Sequence, residues 1–127
     1  GCKPNAICVN MVIGACAKVG DVARAVRWLG RMDSEFGLAP DATSYNCVID
    51  ACARANDVPA AEEWLSRMST TGLTPNLISF SSVLNACSRV GNAEKAEVWL
   101  ERMTSCGLEP NVICFNAVVR ACARGNQ

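Results

Sequence analysis

The 127-residue sequence contains no histidine. That absence removes Ser–His and Cys–His nucleophile pairs. With no Cys-x-x-Cys pair either, the common zinc arrangements are also excluded. The HxE and PCxxC signature of zinc deaminases is missing, and so is a glycine-rich phosphate loop. No catalytic site, metal or other cofactor is expected from this segment. Aromatic residues make up only 6% of the chain, so a core has to be built from Ala, Val, Leu, Ile, Cys and Met. No stretch approaches the roughly 20 apolar residues that cross a bilayer, and the first residues lack the basic-then-apolar pattern of a secretory signal. Net charge is lacking too, with 12 basic and 12 acidic residues, which argues against an indiscriminately basic nucleic-acid surface.

Apolar residues and cysteines are abundant. Half the residues are hydrophobic and nine are cysteines, an odd number in a chain longer than most disulfide scaffolds. Cys16, Cys52, Cys87 and Cys122 recur at a nearly constant interval. They fall where a free thiol acts as a small hydrophobe, which suits a reducing compartment. Cys8 and Cys114 occupy equivalent places near a helix start, where packing as small residues is expected.

The same interval governs the rest of the chain. Gly37-Leu38-Ala39-Pro40-Asp41 returns as Gly72-Leu73-Thr74-Pro75-Asn76 and as Gly107-Leu108-Glu109-Pro110-Asn111, and Gly1-Cys2-Lys3-Pro4-Asn5 fits the template. Trp28, Trp64 and Trp99 keep step, as do Met32, Met68 and Met103. The last two members of each set stand 35 residues apart, and the first unit carries one extra residue between Met32 and Gly37. Such self-similarity marks a repeat architecture.

Each unit reads as two helices. Apolar residues at i, i+3, i+4 and i+7 form a stripe in Val9, Val12, Ile13 and Cys16, in Tyr45, Val48, Ile49 and Cys52, in Phe80, Val83, Leu84 and Cys87, and in Phe115, Val118, Val119 and Cys122. The second stripe runs Ala25, Trp28, Leu29, Met32, and returns as Ala61, Trp64, Leu65, Met68 and as Ala96, Trp99, Leu100, Met103. These Trp and Met residues are expected in the core. Gly20, Asn56 and Gly91 supply left-handed residues after the first helix. Asp21, Asp57 and Asn92 cap the second, and Pro59 sits in a first turn where its missing N–H costs little. Gly37, Gly72 and Gly107 close the unit, with Pro following. The expected division is residues 1–5 as the end of a preceding repeat, repeats at 6–41, 42–76 and 77–111, and a first helix of a fourth at 112–127. A hairpin cannot bury its apolar face alone, so units must stack. Neither end has a polar capping unit, which suggests a piece of a longer array.

Ser44-Tyr45-Asn46-Cys47-Val48-Ile49-Asp50-Ala51-Cys52, Ala61 to Met68 and Gly72 to Asn76 resemble the pentatricopeptide repeat family, and the resemblance covers essentially the whole chain. Tetratricopeptide repeats have a 34-residue period and place their Trp in the first helix, unlike this chain. The resemblance implies an all-α fold, a right-handed α-solenoid of about three and a half stacked antiparallel hairpins. It implies single-stranded RNA as partner, with one base read per repeat by two or three side chains. The implied base readers are Asn10, Asn46, Ser81 and Asn116, with partners Asp41, Asn76 and Asn111 closing the units; Asn5 belongs to the unit before. Ile7, Thr43, Ile78 and Ile113 would sandwich bases, and Lys18, Arg54, Arg89 and Arg124 would contact phosphates. By the family's pairing, the preference is uridine, then cytidine or uridine, then adenosine, then a pyrimidine. A mitochondrial or plastid location also follows from the family.

The chemistry of the reader row fits independently. An Asn amide carries donors and an acceptor that match a pyrimidine edge, and the shorter Ser leaves room for a purine. First helices carry Lys18, Arg54, Arg89, Arg120 and Arg124 against Asp50 alone. Glu62, Glu63, Glu94, Glu97 and Glu101, with Asp21 and Asp57, suggest an acidic opposite wall. The alternative function is a scaffold of the same fold, bound to protein partners in a large organellar complex such as a mitochondrial ribosome or a photosynthetic assembly.

Overall fold

The computed structural model describes residues 5–125, and within them the chain forms seven α-helices. They are α1 (Ala6–Lys18), α2 (Val22–Ser34), α3 (Ala42–Arg54), α4 (Val58–Thr70), α5 (Leu77–Val90), α6 (Ala93–Ser105) and α7 (Val112–Gly125). The part of the expected division that falls on residues 1–4 and 126–127 lies outside the described residues.

Local chemistry starts and stops each helix. Asn5, Asp41 and Asn76 accept the backbone N–H groups of Cys8, Ser44 and Ser79 at 2.8, 3.0 and 3.1 Å. Asp21, Asp57 and Asn92 do the same for α2, α4 and α6. These side chains satisfy donors that a helix start leaves without partners. The first helices end at Gly20, Asn56 and Gly91, with φ of 71°, 61° and 73°. Asn tolerates this left-handed geometry better than other residues with a Cβ.

First helices stack directly, α1 on α3, α3 on α5 and α5 on α7. Each second helix packs against its own first helix and the next one, while the backbones of α2, α4 and α6 make no close contact with one another. Tight spacing on one side and wide spacing on the other curve the stack, with the first helices lining the inner wall. The fold is an all-α solenoid.

A continuous core threads the stack. Ile13, Ile49 and Leu84 are fully buried, as are Met32, Met68 and Met103, and Cys52 and Cys87 lie in the same column. Tyr45 packs tilted on Trp64 at 6.0 Å, and Phe80 on Trp99 at 6.1 Å. Across the open side, Glu62 on α4 receives hydrogen bonds from Lys95 Nζ at 2.7 Å and Trp99 Nε1 at 2.6 Å, both on α6.

Some members of the apolar stripes are only partly covered. Val12, Phe115 and Val119 are exposed, because no described helix covers those faces of α1 and α7. Trp28 and Trp64 pack against the core as expected but are only half-buried, since the splayed second helices leave part of each ring open. Cys8 is exposed, although its counterpart Cys114 is buried. The second-helix wall is not acidic: Arg24, Arg27, Arg31, Arg67, Lys95 and Arg102 balance its carboxylates, and the excess acid sits in the connections.

Candidate nucleic-acid interface

The candidate site is built at the seams between units. Asn10 on α1 and Asn46 on α3 stand one turn into their helices and face the N-cap of the next first helix. Asn10 Nδ2 donates to Asp41 Oδ1 at 3.2 Å, and Asn46 Nδ2 donates to Asn76 Oδ1 at 3.2 Å. The structure thus brings together two of the expected reader–partner pairs. Each partner serves twice, because Asp41 and Asn76 are also the caps of α3 and α5.

The third residue of the next helix completes each pair. The Ser44 hydroxyl donates to Asn10 Oδ1, and the Ser79 hydroxyl donates to Asn46 Oδ1. Both hydroxyls also accept the backbone N–H of the capping residue, Asp41 or Asn76, at 3.2 Å. Both serines are fully buried, and Asn46 is nearly so. Burial alone would raise the Asp41 carboxyl, but the hydrogen bonds from Ser44 and Asn10 outweigh it and hold Asp41 below the ordinary carboxylate value. Asp41 is therefore ionised at neutral pH, and its second carboxylate oxygen remains an acceptor.

The third unit differs. Ser81 lies 3.4 Å from Cys114 Sγ, and Asn111 accepts the Cys114 backbone N–H at 3.0 Å. Ser81 and Asn111 are not brought into a direct bond. Between them opens a cleft of about 440 Å³, lined by Ile78, Ile113, Ser81, Asn111, Asp50 and Asn85. Asn116 on α7 is exposed.

Ile7, Ile78 and Ile113 are 71%, 62% and 64% exposed, and Thr43 is exposed beside them. Ile7, Ile78 and Ile113 thus place an apolar side chain in water beside the polar residues of their units. The basic row has a structural duty as well. Arg89 reaches back to Asn56 Oδ1 at 2.8 Å and to the Arg54 carbonyl at 3.3 Å, and Arg124 reaches the Arg89 carbonyl at 2.9 Å. These guanidinium groups satisfy the last carbonyls of the preceding first helix and favour its negative end. Arg54 pairs with Asp50 at 3.1 Å, whereas Lys18 is exposed at the end of α1. Arg89 and Arg124 remain at the surface, and a guanidinium carries five donors, so N–H groups are left over.

Sequence reasoning missed Ser44, Ser79, Asp50 and Asn85. The capping-box spacing Asp41-x-x-Ser44 and Asn76-x-x-Ser79 was visible in the sequence, but a serine standing between two units' polar pairs is not a local signal.

A family model described as the pentacotripeptide-repeat region of PRORP matches residues 5–127. Among solved structures, the maize pentatricopeptide repeat protein PPR10 superposes with a TM-score of 0.83 at 25% identity, over 99% of this chain and 18% of that one. PPR10 in complex with an 18-nt psaJ RNA element gives 0.82 at 27% identity, over 95% and 18%. The PPR domain of Arabidopsis thaliana protein-only RNase P 1 in complex with tRNA gives 0.79 at 17% identity, over 99% and 66%, a likeness of fold alone. The chain spans less than a fifth of the length of PPR10. No curated protein matches it in sequence. A family match that covers nearly every residue, on stacked hairpins of one period, makes this chain a member of the pentatricopeptide repeat family.

Proposed function

We propose that this chain is a sequence-selective module for single-stranded RNA that takes one base per repeat and acts by binding rather than catalysis. The observation that carries the reading is the alternation along the inner wall: an exposed Ile or Thr, then a polar pair already hydrogen-bonded across a unit seam. An exposed β-branched side chain gives a base a flat apolar contact, and the polar pair gives it an edge to match. PPR10, crystallised with an RNA element, supports the reading by its likeness to this chain.

The bonded atoms indicate what each slot accepts. In the first slot Asn10 keeps one N–H free and Asp41 keeps one carboxylate oxygen, a donor beside an acceptor, which fits uracil. In the second slot Asn46 and Asn76 both turn amide N–H outward, which fits the adjacent acceptors of cytosine. In the third, the cleft at Ser81 has room for adenine, and Asn116 suits a pyrimidine. Read 5′ to 3′ this is U, C, A, pyrimidine. Lys18, Arg54, Arg89 and Arg124 contact phosphates, whose charge supplies most of the salt-dependent affinity. By family, the setting is mitochondrial or plastid RNA metabolism.

The test is binding of a labelled RNA carrying UCAU against one carrying GGGG across a salt series. The first should bind more tightly. Asn46→Ala should weaken discrimination at the second base only, and Lys18→Ala should weaken binding to every sequence and flatten the salt slope. Equal or absent binding of both RNAs at low salt refutes the proposal.

A further inference from the structure

Ser44 and Ser79 each belong to one unit and act on the pair of the unit before it. The Ser79 backbone N–H holds Asn76 Oδ1 at 3.1 Å, and Asn46 Nδ2 converges on the same oxygen. That oxygen must face the protein, so the amide nitrogen of Asn76 faces outward. The Ser79 hydroxyl occupies Asn46 Oδ1, which leaves Asn46 with a free N–H turned to the slot. Ser44 arranges Asn10 and Asp41 in the same way.

We infer that Ser44 and Ser79 are specificity-positioning residues, which fix the donor and acceptor atoms that the preceding unit's pair shows to a base. The inference rests on the RNA reading above. It moves part of the code out of the reader pair and into the following helix. At the third seam Cys114 takes the place of the serine. It keeps the backbone N–H to Asn111 but offers only a thiol, a weak donor, at Ser81. The third slot therefore lacks the hydroxyl that orders the first two.

The consequence is specific to one slot. Removing the Ser79 hydroxyl leaves Asn46 Oδ1 buried and unpaired, and free to turn toward a base. An exposed amide oxygen accepts the N3–H of uracil, so the donor-only edge that favours cytosine is lost. The experiment measures competition between short RNAs that differ only in the second base of UCAU, with the parent chain, Ser79→Ala and Ser79→Thr. The parent should prefer C to U at that base. Ser79→Ala should lower the C-to-U ratio about fivefold and leave the first-base preference unchanged. Ser79→Thr keeps the hydroxyl and should restore the ratio. A purely structural role would lower affinity for both RNAs together without moving their ratio. Circular dichroism establishes that each variant is helical; if Ser79→Ala does not fold, Ser79→Cys, the residue native at the third seam, carries the test. An unchanged ratio in a folded variant overturns the inference and leaves RNA reading intact. Failure of the parent to bind any of these RNAs overturns that reading and this inference with it.

Discussion

Changing Asp41 to Asn should convert the first slot into a copy of the second. Asp41 Oδ1 is already taken by the Ser44 backbone N–H and by Asn10 Nδ2. An Asn there has to keep its oxygen in that place, because its nitrogen would oppose both donors. The nitrogen then replaces the free carboxylate oxygen, so the slot shows two donors where it had a donor and an acceptor. One matched hydrogen bond to uracil N3–H becomes a donor–donor opposition, and cytosine gains what uracil loses. A well-placed base contact is worth about 1–3 kcal/mol of discrimination, so the U-to-C preference should swing by about 2 kcal/mol. Folding should change little, since Asn and Asp cap helices about equally well and the loss of the negative charge at the α3 N-terminus costs about 0.3–1 kcal/mol. The assay is competition between RNAs carrying U or C at the first base, with the thermal melt as control. The parent's preference should hold throughout neutral and mildly acidic pH. A group with a lowered folded pKa contributes stability that is fully present above its unfolded value and is lost as pH falls through the folded one. A variant that folds normally and still prefers U refutes the assignment of atoms in the slot.

Three further outcomes follow from the packing. Glu62→Ala removes the acceptor of the buried Trp99 N–H and the partner of Lys95, which should lower stability by about 2 kcal/mol; Glu62→Gln keeps an acceptor and should lose less, as thermal melts will show. Gly91→Ala places a Cβ at φ 73°, 3.1 Å from Arg124 Cβ and 3.2 Å from the Gly125 nitrogen, and should cost more than about 1 kcal/mol in a denaturant titration; an unchanged midpoint would contradict the close seam between α5 and α7. Burial pushes the Cys52 and Cys87 thiols up to about 11, so at pH 8 they should resist alkylation while the exposed Cys106 reacts, a difference that mass spectrometry reads directly.

The helices and their order were legible because the period multiplies every weak local signal. A single Asp-x-x or Gly-Leu would mean little, but Asp21, Asp57 and Asn92 in register mean a cap. Val12, Phe115 and Val119 lie on the stripes and yet are exposed, because periodicity reports a helix's own face and not whether a neighbour covers it. The acidic second-helix wall failed for a plainer reason: Arg31, Arg67 and Arg102 fall at the same beat as the tryptophans they cover, at 4.3, 4.8 and 4.9 Å, and belong to that wall. The reader row was visible as polar residues beside a stripe, whereas the bonds that orient it join residues 30 to 34 positions apart. Ser44 and Ser79 stand at such junctions, and their role needs the seam to be seen.

In the proposed RNA reading, the partner residue at an N-cap ties base recognition to the geometry of the stack. A cap has a restricted backbone and a side chain held by the helix it starts, so Asp41 and Asn76 cannot drift without fraying α3 or α5. Asn10 and Asn46 are then fixed by bonds that exist before any ligand arrives. Ordering a free polar side chain on binding costs about 0.5–1.5 kcal/mol, and the first two slots avoid that cost for both members of the pair. The third slot avoids less of it, because Asn111 is held by its backbone bond alone and Ser81 rests only on the weak thiol contact. Substituting the second base of UCAU should therefore weaken binding more than substituting the third, when both are replaced by an abasic nucleotide. The comparison is made on one protein and one scaffold, so differences in phosphate contacts cancel. A larger loss at the third base would mean that the apolar contacts of Ile78 and Ile113 in the cleft outweigh the preordering of the polar pair.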